Sequence, residues 1–328
     1  MGMAALLVLG IAGCNKPAEG DNGKTTTDNG GKKLKIAGVI FQNDQFFQLV
    51  KFGMQDAADK AGVEILMGNS DGKADKESTV ISTYANAPVD ALVISPLSKT
   101  GSVKALEDAS KKGIKIICYN TAIKSDFVVT NIVSDEVNLG MQTGKEAVKF
   151  INEKLGGKAN IAVLAFKSQV PEQSDSRCKG FLNEVTKLPG VKIVSTQDAW
   201  LSDMAVKKVG DILTANPNVN LIWAANEGGT DGAVLAVRAA GKAGKIFVFG
   251  TDSSEMLISH LENTENILQA ITSQRPVEIG SKAVEYAIKA LKGETVPKEE
   301  VLEGTCIKRS DPEGVKTFKE QLKKWMGK

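Results

Sequence analysis

Ten short runs rich in aliphatic and β-branched residues alternate along this chain with stretches of helical periodicity. The runs are Leu34–Phe41, Val63–Met67, Ala91–Ser95, Ile114–Tyr119, Val128–Ile132, Ala159–Ala165, Val191–Thr196, Leu221–Ala224, Ile246–Thr251 and Leu268–Ser273. Strands separated by helices cannot pair as hairpins, so this alternation predicts an α/β fold, mostly parallel sheets with helices on both faces. Between the first two runs, Phe46, Leu49, Val50, Met54, Ala57, Ala58 and Ala61 fall on one helical face that ends at Gly62, a helix-stopping residue. Val137–Leu155, Ser202–Ala215, Gly228–Ala240 and Pro276–Leu291 repeat that spacing. The pattern restarts near Ser134-Asp135, giving two sets of about five strands and an expectation of two similar Rossmann-like lobes. A last helix, Asp311–Trp325, has Asp311 as N-cap and Pro312 at its first position, with Val315, Phe318, Leu322 and Trp325 on one face. It is expected to dock on one lobe and close it.

The N-terminus points to export. Met3 to Ala12 is apolar and ends in Leu9-Gly10-Ile11-Ala12-Gly13-Cys14, the lipobox pattern of bacterial lipoproteins. The run is too short to span a bilayer, which takes roughly 20 apolar residues, and the small Ala12 and Gly13 suit a peptidase cleft. No Lys or Arg precedes it. Residues 1–14 are therefore expected to be a lipoprotein signal segment with Cys14 as the lipidated residue, leaving the protein outside the cytoplasm on the cell membrane. Residues 15–33 hold no aliphatic larger than Ala and read as a flexible tether. Membrane contact through the lipid alone follows.

The balance of 24% charged residues and a net charge of +2 lacks the basic excess of a nucleic-acid binder. Besides Cys14, Cys118, Cys178 and Cys306 are an odd number at long spacings and imply neither a disulfide framework nor a zinc site. Cys118 reads as a small core residue. Catalysis finds little support: the single histidine, His260, sits in the helical stretch Glu255–Glu262 and reads as part of a solvated face. No phosphate-binding Gly-Lys-Ser/Thr loop occurs, and Gly228-Gly229-x-x-Gly232 is only a fragment of a dinucleotide motif. No enzyme and no cofactor are expected.

A binding site is better signposted, because strand after strand ends in one polar residue, as Asp252 does after Ile246–Thr251, Asp44 after the first run, Asn120 after the fourth and Asn226 after Leu221–Ala225. In open α/β sheets ligands bind outside the carboxyl ends of the strands, so these side chains are expected to meet. Asp44 precedes Phe46 and Phe47, and Trp200 stands in the strand-to-helix loop Asp198–Asp203. Aromatic faces suit the C–H faces of a sugar ring, while carboxylates, amides and a guanidinium suit its rim of hydroxyls. Arg177, at the opening of a helix after Ala159–Ala165, and Gln274, just past Leu268–Ser273, complete the candidates.

On Phe46-Phe47, Arg177-x-x-Gly-Phe181, Ala225-Asn226-Glu227, Gly250-Thr251-Asp252 and Gln274, residues 34 to about 305 resemble the sugar-binding proteins of ABC importers, in the ribose and glucose/galactose group. The resemblance implies a periplasmic binding protein fold of type I, with lobes of residues 34–134 plus about 275–302 and of 135–274 plus about 303–328, joined by a multi-strand hinge. It implies sugar hydroxyls bonded by Asp44, Asn120, Arg177, Asn226, Asp252 and Gln274, with Phe46 and Trp200 on the ring faces and Phe47 assisting. Asp44, Asn120 and Trp200 agree with the glucose/galactose branch, and Gln274 with the ribose branch. Where the former has a His and an Asp ahead of the Arg, this chain has Pro171 and Gln173, and Glu153–Lys158 offers too few oxygens for that branch's calcium loop. The expectation is thus a monomeric, metal-free binder of an aldohexose such as glucose or galactose, closing about its hinge and delivering the sugar to a membrane permease. Alternatives are a pentose, a short oligosaccharide or a furanosyl signal read by a chemoreceptor. A LacI-type regulator would need a DNA-binding helix-turn-helix where the lipobox and tether stand.

Overall fold

The computed structural model describes residues 33–327. The signal segment, the lipidation expected at Cys14 and all of the tether but Lys33 lie outside the described residues. The first sheet is built from β1 (Lys35–Ile40), β2 (Glu64–Asn69), β3 (Ala91–Ile94), β4 (Lys115–Tyr119) and β5 (Val128–Ser134). Helices α1 (Gln45–Ala61), α2 (Ala74–Ala85) and α3 (Val103–Lys111) connect its first four strands. The chain then crosses into α4 (Glu136–Lys154) and a second sheet of β6 (Lys158–Ala165), β7 (Gly190–Asp198), β8 (Leu221–Ala224), β9 (Phe247–Thr251) and β10 (Leu268–Ser273). Between these strands run α5 (Pro171–Val185), α6 (Ser202–Ala215), α7 (Glu227–Ala239) and α8 (Glu255–Glu262). A second crossing leads to α9 (Pro276–Leu291) and β11 (Glu299–Leu302) on the first sheet, and a third to β12 (Thr305–Lys308) and α10 (Pro312–Trp325) on the second.

Both sheets share one winding. The order is β2-β1-β3-β4-β5-β11 in the first and β7-β6-β8-β9-β10-β12 in the second, parallel throughout except for β12, which runs antiparallel to β10. In this order the chain moves one way from β1 and then back past it, so a crevice opens beyond the strand ends between β1 and β3, and again between β6 and β8. Such strands are covered on both faces and read as unbroken apolar runs, as Ala91–Ile94 and Leu221–Ala224 do, every residue being buried.

A pair of glycines clasps the helices in each lobe. A Cβ on Gly53 of α1 would lie 2.0 Å from the Val277 carbonyl of α9, and one on Gly280 of α9 would lie 2.1 Å from Val50 O. In the second lobe, a Cβ on Gly140 of α4 would meet Arg177 O at 1.9 Å, and one on Gly180 of α5 would meet Val137 O at 2.0 Å. Only residues without a Cβ let these backbones touch, so α5 is pinned to α4 at the turn that carries Arg177. The other face of α5 is fixed by Phe181, stacked on the buried Trp223 at 4.5 Å, while Trp223 Nε1 donates to Thr143 Oγ1 of α4 at 2.9 Å.

Differences from the sequence reading have local causes. β11 and β12 have four residues each and lie at sheet edges, with Glu299, Glu300 and Lys308 among them, too short and polar to show a strand pattern. α5 starts at Pro171, which suits a first helical position, so Arg177 lies in its second turn and is buried. His260 is not on a solvated face: its side chain is 11% exposed and its Nε2 lies 2.9 Å from Asp231 Oδ1 of α7. Among the described residues no helix is long and apolar enough to cross a membrane.

Candidate functional site

The crevices of the two sheets face each other across one cleft of about 690 Å³, within the usual range for small-molecule sites. All nine side chains expected at a binding site line it: Asp44, Phe46, Phe47 and Asn120 from the first lobe, Arg177, Trp200, Asn226 and Asp252 from the second, and Gln274 at a crossing.

Helix capping explains part of the polar pattern. Asp44 is the N-cap of α1: one carboxylate oxygen accepts the Phe47 N–H at 2.9 Å and the other the Gln42 amide at 2.5 Å. Burial raises its carboxyl above the ordinary value, the Phe47 and Gln42 bonds oppose that, and Asp252 adds to it. Asn226 caps α7, accepting the Gly229 N–H at 3.2 Å, while its Nδ2 donates to the Trp200 carbonyl at 2.8 Å. This bond and Gly228, where a Cβ would stand 2.3 Å from the same carbonyl, seat the Trp200 loop on the first turn of α7. Phe47 is core, 6% exposed and stacked on Phe41, whereas Phe46 meets it edge-on and is half-buried toward the cleft.

Arg177 and Asp252 organise the second lobe. Arg177 Nε donates to Glu136 Oε2 at 2.5 Å, its Nη1 donates to the Ala225 carbonyl at 2.9 Å, and its guanidinium lies 5.0 Å from the Phe166 ring centre. Burial works against its charge, but Glu136 and Asp252 together raise it above the ordinary Arg value, so it stays a cation. Among the described residues no acceptor holds Nη2, which leaves that edge of the fork for a ligand. Asp252 sits at φ 73°, a left-handed geometry that Asp tolerates better than most residues. Its Oδ2 accepts the Glu227 N–H at 3.0 Å and faces Arg177 Nη1 at 3.6 Å, and its Oδ1 accepts from the Gln274 amide. Gln274 in turn accepts from Ser134 Oγ at 3.1 Å, so the first and second crossings are tied to Asp252 through one amide. Asn120 also lies in the left-handed region, φ 61°, with Nδ2 3.3 Å from Ser95 Oγ.

Sequence reasoning missed several lining or supporting groups. Glu136, half-buried beside Arg177, begins α4 immediately after the restart at Ser134-Asp135, which was the available signal. Glu227 directly follows Asn226; its carboxyl is pushed up to about 7, mainly by burial, with Asp252, Asp44 and Asp231 adding to the shift and Ser254 opposing it. Contacts across the cleft mouth gave no sequence signal. They are the ion pair of Lys99 with Glu172, the bond from Gln173 Nε2 to the Asn120 carbonyl at 3.3 Å, and that from the Glu255 N–H to Gln45 Oε1 at 3.1 Å. Each joins one lobe to the other, so the two rims are in contact.

Residues 38–295 match the family model described as "Periplasmic binding protein domain". The chain is 31% identical over 268 residues to the ABC transporter periplasmic-binding protein YphF of Escherichia coli, covering 79% of this chain and 81% of that protein. It is 26% identical to the ribose import binding protein RbsB of Bacillus subtilis, covering 83% and 87%. Among solved structures, an ABC transporter periplasmic solute-binding protein from Actinobacillus succinogenes with bound D-allose superposes with a TM-score of 0.78 at 25% identity, covering 87% of this chain and all of that one.

Proposed function

The chain belongs to the periplasmic binding protein domain family, a family of solute-binding rather than catalytic proteins, and we propose that it captures a monosaccharide in this cleft for an ABC importer. The observation that carries the reading is that half-buried Phe46 and Trp200, from separate lobes, line one cleft together with polar groups that include Arg177, Asp252 and Asn120. A sugar held there touches both lobes, so its bonds favour the closed arrangement over the open one, and the loaded, closed form is what a permease would bind. Each charge-assisted hydrogen bond contributes about 1.5–3 kcal/mol, so a few bonds beyond the cost of closure reach micromolar affinity, about −8 kcal/mol.

The finer proposal is an aldohexose such as glucose or galactose, with the protein outside the cytoplasm and held to the membrane by a lipid on Cys14. A specific observation favours a second ligand reading, a pentose: Pro171 and Gln173 line the cleft where the glucose/galactose branch carries polar groups, and Gln274 follows the ribose branch. A thermal-shift panel of glucose, galactose, allose, xylose and ribose tests both, since a ligand bound only to the folded state raises the midpoint. A rise with an aldohexose supports the first reading and a rise with pentoses alone the second. No rise with any of them removes the monosaccharide proposal.

A further inference from the structure

Glu227 lines the cleft at the start of α7, between two carboxylates whose positions are fixed by other bonds. Asp252, from the loop after β9, accepts the Glu227 N–H and faces Arg177 of α5. Asp44, from the opposite lobe, is held by capping α1. The charge of Arg177 is already matched by Glu136 and Asp252, and Lys99, the other cation on the lining, pairs with Glu172 at the rim. Among the described residues no cation bonds Asp44 or Glu227; the side-chain partner of Glu227 is the Ser254 hydroxyl. Asp231, one turn along α7, adds negative charge, although His260 of α8 and Ser202 of α6 hold its oxygens, and Glu255 opens α8 next to Ser254. Across the cleft the first lobe holds an unmet donor: Gln45 Nε2 is buried without an acceptor among the described residues, while its Oε1 receives the Glu255 N–H.

Buried carboxylates without a cation either take a proton or wait for a donor from the ligand. We propose that Glu227 is a specificity-determining, ligand-facing carboxyl that exchanges a proton as the cleft fills, so that the cleft favours sugars presenting hydroxyl or ammonium donors and rejects those carrying a carboxylate or phosphate. The inference rests on the reading of the cleft as a sugar site. Poised at about 7, the carboxyl is present in both forms near neutrality. A neutral sugar displaces water from the wall and removes what hydration the anion retains, which draws a proton in, and the protonated carboxyl still takes a hydroxyl donor on its carbonyl oxygen. A 2-amino sugar brings an ammonium among three carboxylates and drives a proton out. A uronic acid adds a like charge beside three carboxylates, and the charge of Arg177 is already matched by Glu136 and Asp252, so its open Nη2 edge offers a hydrogen bond without an unmatched charge.

The test is titration calorimetry at pH 7 in two buffers of different ionisation enthalpy, with D-glucose, 2-amino-2-deoxy-D-glucose and D-glucuronate, on the wild-type protein and Glu227→Gln. Proton uptake with glucose, release with the amino sugar, no binding of glucuronate and loss of buffer dependence in Glu227→Gln are expected. Heats that do not vary with buffer in the wild type, or a linkage that survives in Glu227→Gln, overturn the role of Glu227 while leaving sugar binding intact. No heat with any of the three, in a wild-type protein that melts cooperatively, overturns the sugar reading and this inference with it.

Discussion

Arg177 of α5 donates through Nε to Oε2 of Glu136 on α4 at 2.5 Å, and their side chains are only 4% and 15% exposed. The pair joins the guanidinium offered to the cleft to the first residue of the helix that leaves the first crossing, so the same contact orients Arg177 and fixes it beside that crossing. Removing one partner of a buried pair leaves an uncompensated charge, which costs about 3–5 kcal/mol. Glu136→Ala is therefore expected to lower the unfolding free energy by that margin, read as a lower urea midpoint, and to weaken sugar binding. A midpoint within error of the wild type would show that Ala225 and Asp252 suffice to hold Arg177.

Asp252 separates charge from geometry. Asn keeps the shape and tolerates the left-handed backbone at φ 73°, whereas Ala would be strained there. Asp252→Asn loses one charge-assisted contact to Arg177 and must present an amide where a carboxylate accepted the Glu227 N–H. Sugar affinity is expected to fall 10- to 100-fold, roughly one charge-assisted bond of about 1.5–3 kcal/mol. Calorimetry reads it, and an unchanged constant would place the ligand elsewhere on the cleft wall.

The clasp between α4 and α5 is the means by which a backbone contact reaches the site. Gly180→Ala puts a methyl 2.0 Å from Val137 O, and the helices must part at the turn after Arg177. Overpacking of this kind costs about 1–3 kcal/mol. The variant is expected to melt lower and to bind sugar less tightly, while Gly210→Ala on α6, where a Cβ meets nothing within 4 Å, should do neither.

What the sequence made legible was whatever repeats with a period or ends a strand. The ten apolar strands and the polar groups beyond them fall into that class, because a parallel sheet buries continuous runs and its helices need caps. That same capping blurs the site: Asp44 and Asn226 earn their positions at helix starts whether or not a ligand binds, just as Asp135 and Asp311 do away from the nine cleft candidates. Glu136, Glu227 and the Lys99–Glu172 pair stayed hidden because their meaning lies in which elements face each other across two sheets. His260 was misread for a related reason, since its partner Asp231 comes from another helix 29 positions away.

Glu227 also gives stability a pH dependence of definite sign. Its folded value of about 7 lies above the ordinary 4.5, so its favourable contribution is complete below about pH 4.5 and is lost as pH rises through 7. The loss amounts to about 3 kcal/mol. Glu227→Gln, which cannot ionise, is expected to match the wild type near pH 4.5 and to exceed its unfolding free energy increasingly up to pH 7.5. Parallel curves across that range would mean that the carboxyl is ionised at its ordinary value.

Trp200 offers the means of deciding the sugar. Of the other tryptophans, Trp223 is fully buried against Phe181 and Trp325 packs with Phe318 on α10, so a change in emission on ligand binding is expected to come from Trp200 on the cleft wall. An indole covers more of a six-membered ring than a phenyl group does, and stacking energy follows that contact. Against this, Pro171 brings no polar group to its end of the cleft, and Gln173 gives its amide N–H to the Asn120 carbonyl, so that end offers a hexose fewer free partners. Competition among glucose, galactose, allose, xylose, ribose and cellobiose for the emission change should rank an aldohexose first. Trp200→Phe should abolish the signal and weaken hexoses more than pentoses. If ribose alone competes, Gln274 describes the ligand better than Trp200; if cellobiose displaces the monosaccharides, the end beside Pro171 holds a second ring.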